Sequence, residues 1–187
     1  AQRGYAAELL VKNIKAYNNH ITTGFLGTPY ICHVLSKFGY SDLAYTLLFQ
    51  DTYPSWLYPV KMGATTIWER WDGIKQDGSF QNAGMNSFNH YAYGAIGDWM
   101  YRVVTGIEIE KEGYKKSIIN PIISNSLNYA SSSTNTPYGK IQSGWYKNEN
   151  SMDFSVEIPA NTTSAIYLPV TNIEKLTVDG EPFSNSP

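Results

Sequence analysis

The stretch "FNHYAYGAIGDWMYRVVTG" (residues 88–106) carries the strongest periodicity in the chain. Phe88, Tyr91, Ala92, Ala95, Ile96, Trp99, Met100, Val103 and Val104 recur at three- and four-residue spacing, which predicts a helix stopped by Gly106. Beyond it the period changes from helical to alternating. Met152, Phe154, Val156 and Ile158 point one way while Asp153, Ser155 and Glu157 point the other, as in a half-buried strand. "YKKSIINPII" (114–123), "KIQSGWYK" (140–147), "SAIYLPV" (164–170) and "KLTVDG" (175–180) read the same way, and an antiparallel β-sandwich of about six strands follows. "SSSTNTP" (131–137) is predicted as the tip of a hairpin. The chain thus divides into a helical part, residues 1–110, and a β-sandwich, residues 111–187.

Upstream, Tyr5, Leu9, Leu10, Ile14 and Tyr17 predict a first helix that stops at Asn18 and Asn19. Thr28 is placed to cap a second, with Pro29 at its first position and Gly39 at its end, and Ser41 to cap a third running through Leu47 and Leu48. Over residues 51–87 the periodicity lapses into Gly, Pro, Trp and Asn, and a connection of that length has a task. Helices separated by such a loop bury little core alone, so they read as the end of a larger helical domain, whose truncated face would self-associate. The first residue, Ala1, already lies inside the first periodic segment, which reads as part of a longer protein.

Composition narrows the function. The 187 residues carry a net charge of −2 with 16% charged residues, so the electropositive footprint of a nucleic-acid binder is missing. No apolar run reaches the ~18 residues of a membrane span. Cys32 is the single cysteine, which excludes an intrachain disulfide and reads as an inert core thiol. His20, His33 and His90 are scattered with no ligand spacing, and phosphate-loop and dinucleotide fingerprints are absent, so neither a metal nor a cofactor is expected. With 15 Tyr and 5 Trp, the chain is rich in rings that serve either as core or as faces on which sugars stack.

"GATTIWERWDG" (63–73) places Glu69 between Trp68 and Arg70, with Trp71 two positions on. Two readings stay open: a surface ion pair with Arg70, or a carboxylate held in an aromatic cleft. Indoles strip water from a carboxylate, whereas a guanidinium stabilises its charge. Glycoside hydrolysis uses two carboxyl groups, and Glu69 is the best candidate here for one of them. His90, at the mouth of the predicted last helix, either donates to a sugar hydroxyl or is satisfied by backbone. Trp56 and Trp71 lie off any period and are either sugar platforms or buried loop anchors, whereas Trp99 follows the core stripe. Asp72 with Gly73 and Asp77 with Gly78 read as turns, and Asp51 as a brace for its loop. Gly24 and Gly27 suggest close backbone approach or positive φ. A second reading of the whole is a non-catalytic carbohydrate-binding or scaffolding module, with Trp145 and Tyr146 as an exposed platform.

"HITTGFLGTPY" (20–30), "DLAYTLLFQDTYPSWLYPVKMGATTIWERWDG" (42–73) and "SFNHYAYGAIGDWMYR" (87–102) resemble the C-terminal end of bacterial α-L-rhamnosidases, which are inverting glycoside hydrolases. The resemblance implies the last helices and active-site loops of an (α/α)6 barrel, followed by a β-sandwich. It implies Glu69 as the general base, His90 in the sugar site, and a rhamnose-containing carbohydrate as substrate. The family's general acid lies upstream of this stretch, so the missing N-terminal part of the same enzyme would be an obligatory partner and the chain alone inactive.

Overall fold

A computed structural model describes residues 2–183. The chain opens with α1 (Gln2–Ala16), α2 (Thr28–Lys37), α3 (Ser41–Phe49) and the short α4 (Leu57–Lys61). Ile31, Cys32 and Leu35 of α2 and Ala44, Tyr45, Leu47 and Leu48 of α3 form the centre of the helical core. Each large apolar side chain buried there stabilises the fold by about 1.5–3 kcal/mol. Between these helices Gly39 takes the left-handed conformation at φ +84°, and the Tyr40 N–H closes the end of α2 on Leu35 O at 2.8 Å.

Two details differ from the sequence reading. Neither Thr28 nor Ser41 caps its helix: each is already the first helical residue. The Thr28 hydroxyl turns back to donate to Gly24 O at 2.9 Å, bracing the preceding loop. On α1 the buried stripe is Ala7, Val11 and Ile14, while Tyr5 stands 60% exposed and Leu9 and Tyr17 are exposed as well. The helix carries apolar residues on two faces, and only one of them packs within this chain.

Cys32 is buried in the core, and burial pushes its thiol up to about 12 because the thiolate would have to leave water. Its ionised form is therefore negligible near neutrality. A thiol reagent at pH 8 is expected to leave the native protein unlabelled and to label it stoichiometrically in denaturant; rapid native labelling would contradict this packing.

The last helical stretch starts at Ala92 rather than Phe88. It runs through a 3-10 turn (Ala92–Ala95), α5 (Ile96–Trp99) and a π-turn (Met100–Val104). Trp99 is core, as its period demands: its Nε1 donates to Ser36 Oγ at 2.9 Å and its ring meets Tyr45 edge-on at 5.0 Å. Gly106 follows at φ +79°, where a Cβ would stand 2.2 Å from Pro121 N, so only glycine lets the chain turn there.

The β part comprises β1 (Ile107–Lys111), β2 (Lys116–Ile119), β3 (Tyr129–Thr136), β4 (Gly139–Lys147), β5 (Met152–Glu157), β6 (Thr163–Ile166), β7 (Thr177–Val178) and β8 (Glu181–Pro182). β3, β4 and β5 form one antiparallel sheet in sequential order. In a second, β2 pairs antiparallel with β1 but parallel with β6, a non-local pairing that alternation cannot announce, and β7 and β8 form a small third sheet. "SSSTNTP" is not a hairpin tip. Ser131 to Thr136 pair with β4 and the turn falls on Pro137 and Tyr138, since β4 supplies the ladder that these polar residues do not predict alone.

The two parts are joined through backbone carbonyls at the end of the helical stretch and in the segment after β2. Trp145 Nε1 donates to Val104 O at 2.8 Å, Ser143 Oγ to Thr105 O at 2.6 Å and Tyr45 Oη to Ile122 O at 2.7 Å. The first two bonds satisfy acceptors that a helix leaves open at its C-terminus. Ile141, Ser143 and Trp145 share the inward face of β4, so Trp145 is 3% exposed and only Tyr146, one residue on, reaches solvent. The exposed Trp145 platform of the binding-module reading is therefore not formed. Among the described residues no helix is long and apolar enough to cross a membrane.

Candidate active site

The long loop of residues 51–87 is built as a closed structure. Lys61 holds Asp51 at 2.8 Å, and that hydrogen bond and charge keep the Asp51 carboxyl below its usual range. Tyr58 Oη donates to Ile74 O at 3.0 Å. Asp77 and Gly78 form the expected turn: Gly78 has φ +80°, and Asp77 accepts from the Ser79 amide and hydroxyl, which lowers its carboxyl in turn.

The two segments singled out in the sequence lie side by side. Glu69 N–H donates to Ser87 O at 2.8 Å, His90 N–H donates to Ile67 O at 2.8 Å, and the Thr66 hydroxyl donates to Phe88 O. This short ladder brings Glu69 and His90, 21 positions apart in the chain, onto two adjoining, hydrogen-bonded segments. Residues 88–90 serve the ladder instead of the helix that their spacing suggested.

Within it the Glu69 carboxylate is oriented: Oε2 accepts the Ser87 backbone N–H at 2.8 Å, and among the described residues Oε1 accepts no hydrogen bond. Arg70 does not pair with Glu69. Its Nε lies 3.6 Å from Asp72 Oδ1, an ion-pair separation beyond hydrogen-bond reach, so Asp72 serves charge as well as the turn. Gly73 is confined for a different reason from Gly106: a Cβ there would lie 2.9 Å from Asn86 Oδ1 and 3.2 Å from both Phe88 and Trp68. Asn86 Nδ2 donates to Gly73 O at 3.0 Å and completes the neck of the loop. Among the described residues Arg70 Nε, Trp71 Nε1 and Asn86 Oδ1 are buried without a protein hydrogen-bond partner.

Trp56, Trp71 and Tyr93 form one connected series. Trp56 is 8% exposed, donates Nε1 to Tyr93 O at 2.9 Å and meets Trp71 edge-on at 5.6 Å. The half-buried Trp71 stacks on Tyr93 at 3.7 Å with 13° between planes. Trp56 is thus a buried anchor behind Trp71. Trp68 is buried too, edge-on to Phe88 at 5.2 Å. The remaining histidines tie structure together: His20 bonds Tyr17 O and Thr52 Oγ1, and His33 meets Asp98 at 2.8 Å. Gly27 sits against Thr23, with Cγ2 2.9 Å from where a Cβ would be, while Gly24 has open space; neither has positive φ. Ser87, Asn86 and Phe25 were not singled out in the sequence, and only an aromatic stranded between two glycines hinted at Phe25.

Comparison with known proteins fits this geometry. Residues 1–104 match the bacterial alpha-L-rhamnosidase 6 hairpin glycosidase domain, and residues 106–182 match the bacterial alpha-L-rhamnosidase C-terminal domain. An alpha-L-rhamnosidase of Formosa agariphila is 48% identical over 180 residues, covering 96% of this chain and 19% of that protein. One of Streptomyces avermitilis is 41% identical over 176 residues, covering 94% of this chain and 17% of its own length. The crystal structure of the Streptomyces avermitilis enzyme complexed with L-rhamnose superposes with a TM-score of 0.87 at 39% identity, over 95% of this chain and 18% of that one. The native Aspergillus terreus enzyme gives 0.83 at 40% identity, over 89% and 19%. The chain therefore spans less than a fifth of the length of these relatives. With the helical part as the end of a six-hairpin barrel and the β part as the sandwich after it, the chain belongs to the bacterial α-L-rhamnosidase family of glycoside hydrolases.

Proposed function

We propose that this chain contributes the general base to an inverting α-L-rhamnosidase, with Glu69 as that base, and that the general acid comes from the part of the enzyme outside these residues. The observation that carries the reading is the Glu69 carboxylate, one oxygen fixed by the Ser87 N–H and the other without a protein partner among the described residues. A base needs this arrangement, one oxygen held so that the other can take a proton from water. In an inverting enzyme the acid stands about 6.5–9.5 Å from the base, leaving room for that water. His90 lines the sugar site as a donor to a hydroxyl, Trp71 forms an apolar wall, and Trp56 holds Trp71 in place. L-rhamnose in the homologous Streptomyces avermitilis structure supports a terminal α-L-rhamnosyl group of a glycoside or polysaccharide as substrate. The exposed apolar face of α1, with Tyr5 and Leu9, is where the remainder of the barrel packs, and it is the face through which the isolated chain would self-associate.

The stereochemistry tests this directly. Proton NMR of the full-length enzyme acting on an aryl α-L-rhamnoside is expected to show β-L-rhamnose as the first anomer, the α form following by mutarotation. The α anomer appearing first would mean a covalent intermediate and would remove Glu69 from the role of water-activating base. The 187-residue chain alone is expected to release no aryl alcohol above background, since it supplies one carboxyl group of the pair.

A further inference from the structure

The His90 imidazole is flanked by two aromatic rings. Phe25, in the loop between α1 and α2, stacks on it with centroids 4.8 Å apart and planes 14° apart, and the Tyr91 ring is parallel to it with centroids 5.6 Å apart and planes 4° apart. With Phe25 stacked on it, the imidazole cannot turn out of its plane without displacing that ring. The other orientation in the same plane is reached by a half-turn about the Cβ–Cγ bond, which exchanges the positions of the two ring edges. That is opposed by a second contact, because the Ala92 backbone N–H donates to His90 Nδ1 at 3.3 Å. A backbone N–H can only donate, so Nδ1 must present its lone pair, and the neutral ring carries its proton on Nε2. Among the described residues Nε2 has no hydrogen-bond partner.

Phe25 is itself positioned from the site side. Its ring meets Tyr93 at 5.2 Å, and Tyr93 is the ring on which Trp71 stacks and the residue whose carbonyl receives Trp56 Nε1. One line of contacts therefore runs from the buried Trp56 through Trp71, Tyr93 and Phe25 to His90. Its members come from three separate segments of chain. Phe25 is 43% exposed and contributes no polar group, so filling a core does not account for its placement.

From this geometry we infer that Phe25 is a positioning residue of the sugar site: with Tyr91 it fixes His90 as an Nε2–H donor aimed at a hydroxyl of the bound sugar. The inference rests on the reading of His90 as a sugar-binding residue. Releasing the ring sacrifices one oriented hydrogen bond, and the expected loss is roughly tenfold in kcat/KM, the order of a single such bond.

The test uses the full-length enzyme and an aryl α-L-rhamnoside. Phe25→Leu and Tyr91→Leu are each made alone and together with His90→Ala, and Phe25→Tyr is made as the conservative variant. Roughly tenfold losses for the two leucine variants, no further loss when either is added to His90→Ala, and recovery in Phe25→Tyr are the expected results. Losses that multiply in the His90→Ala background would overturn the inference, because Phe25 and Tyr91 would then act independently of the imidazole. A normal Phe25→Leu enzyme beside an impaired His90→Ala enzyme would also overturn it, leaving the role of His90 intact. If His90→Ala itself leaves kcat/KM unchanged, the reading of His90 fails first and the inference with it. Should Phe25→Leu not fold, the Tyr91→Leu arm decides by the same criteria, since Tyr91 is 88% exposed and its truncation is tolerated.

Discussion

Glu69→Gln in the full-length enzyme is expected to lower kcat on an aryl α-L-rhamnoside by about 10²–10⁴-fold, the range for removing a general base. KM should stay within a few-fold. The amide is nearly isosteric with the carboxylate, and its carbonyl oxygen can accept the Ser87 N–H that Oε2 accepts now, so the ladder between residues 66–69 and 87–90 should survive. What the amide cannot do is take a proton from water. A fall in kcat with substrate binding retained is the pattern for an interaction made only in the transition state. If Glu69→Gln keeps near-normal kcat, the carboxylate is a brace for Ser87 and the base lies elsewhere. If kcat and the unfolding midpoint fall together, the loss is structural.

The second large effect concerns stability. Trp145→Ala is expected to destabilise the protein by about 3–5 kcal/mol, as for other buried large-to-small changes. The substitution removes a ring that is 3% exposed, opens a cavity where β4 meets the helical core, and leaves Val104 O without its donor. Tyr146→Ala, one residue on and on the exposed face, should cost about 0.5 kcal/mol or less. Urea unfolding of the two variants separates them. Equal and small effects would mean that the β part does not lean on Trp145, while a loss of sugar binding in Tyr146→Ala with stability intact would revive a platform role for this edge.

How much of this was legible depends on how local the cause is. The alternation of Met152, Phe154 and Val156 is read within the strand itself, and β5 appears where it was expected. The polar "SSSTNT" has no such pattern: it is a strand because Tyr129 to Thr136 face Tyr146 to Gly139, and that partner is settled by the fold. Phe88 fits the period of the last helix, yet its carbonyl is taken by Thr66, a residue 22 positions earlier, and the helix begins later as a result. Glu69 and His90 stood out by residue type and by resemblance to the family. That Ser87 would orient the one and Phe25 the other could not be read from spacing, because both contacts join segments far apart in the chain. Side-chain assignments for the indoles were half legible. Trp99 obeyed a period, whereas Trp68 and Trp56 lie in irregular chain, and only packing assigns them to the interior.

The neck of the loop has a consequence for how such enzymes can diversify. The spacing between Glu69 and His90 is set by backbone bonds at the base of an excursion, with Asn86 clasping Gly73 just above them. Between those points residues 74–85 form a largely exposed tip, with Phe80 and Met85 open to solvent. A stem pinned in this way lets the tip lengthen, shorten or change its side chains without disturbing the register beneath. Sequence change can then be confined to the tip while the hydrogen-bonded stem keeps its arrangement.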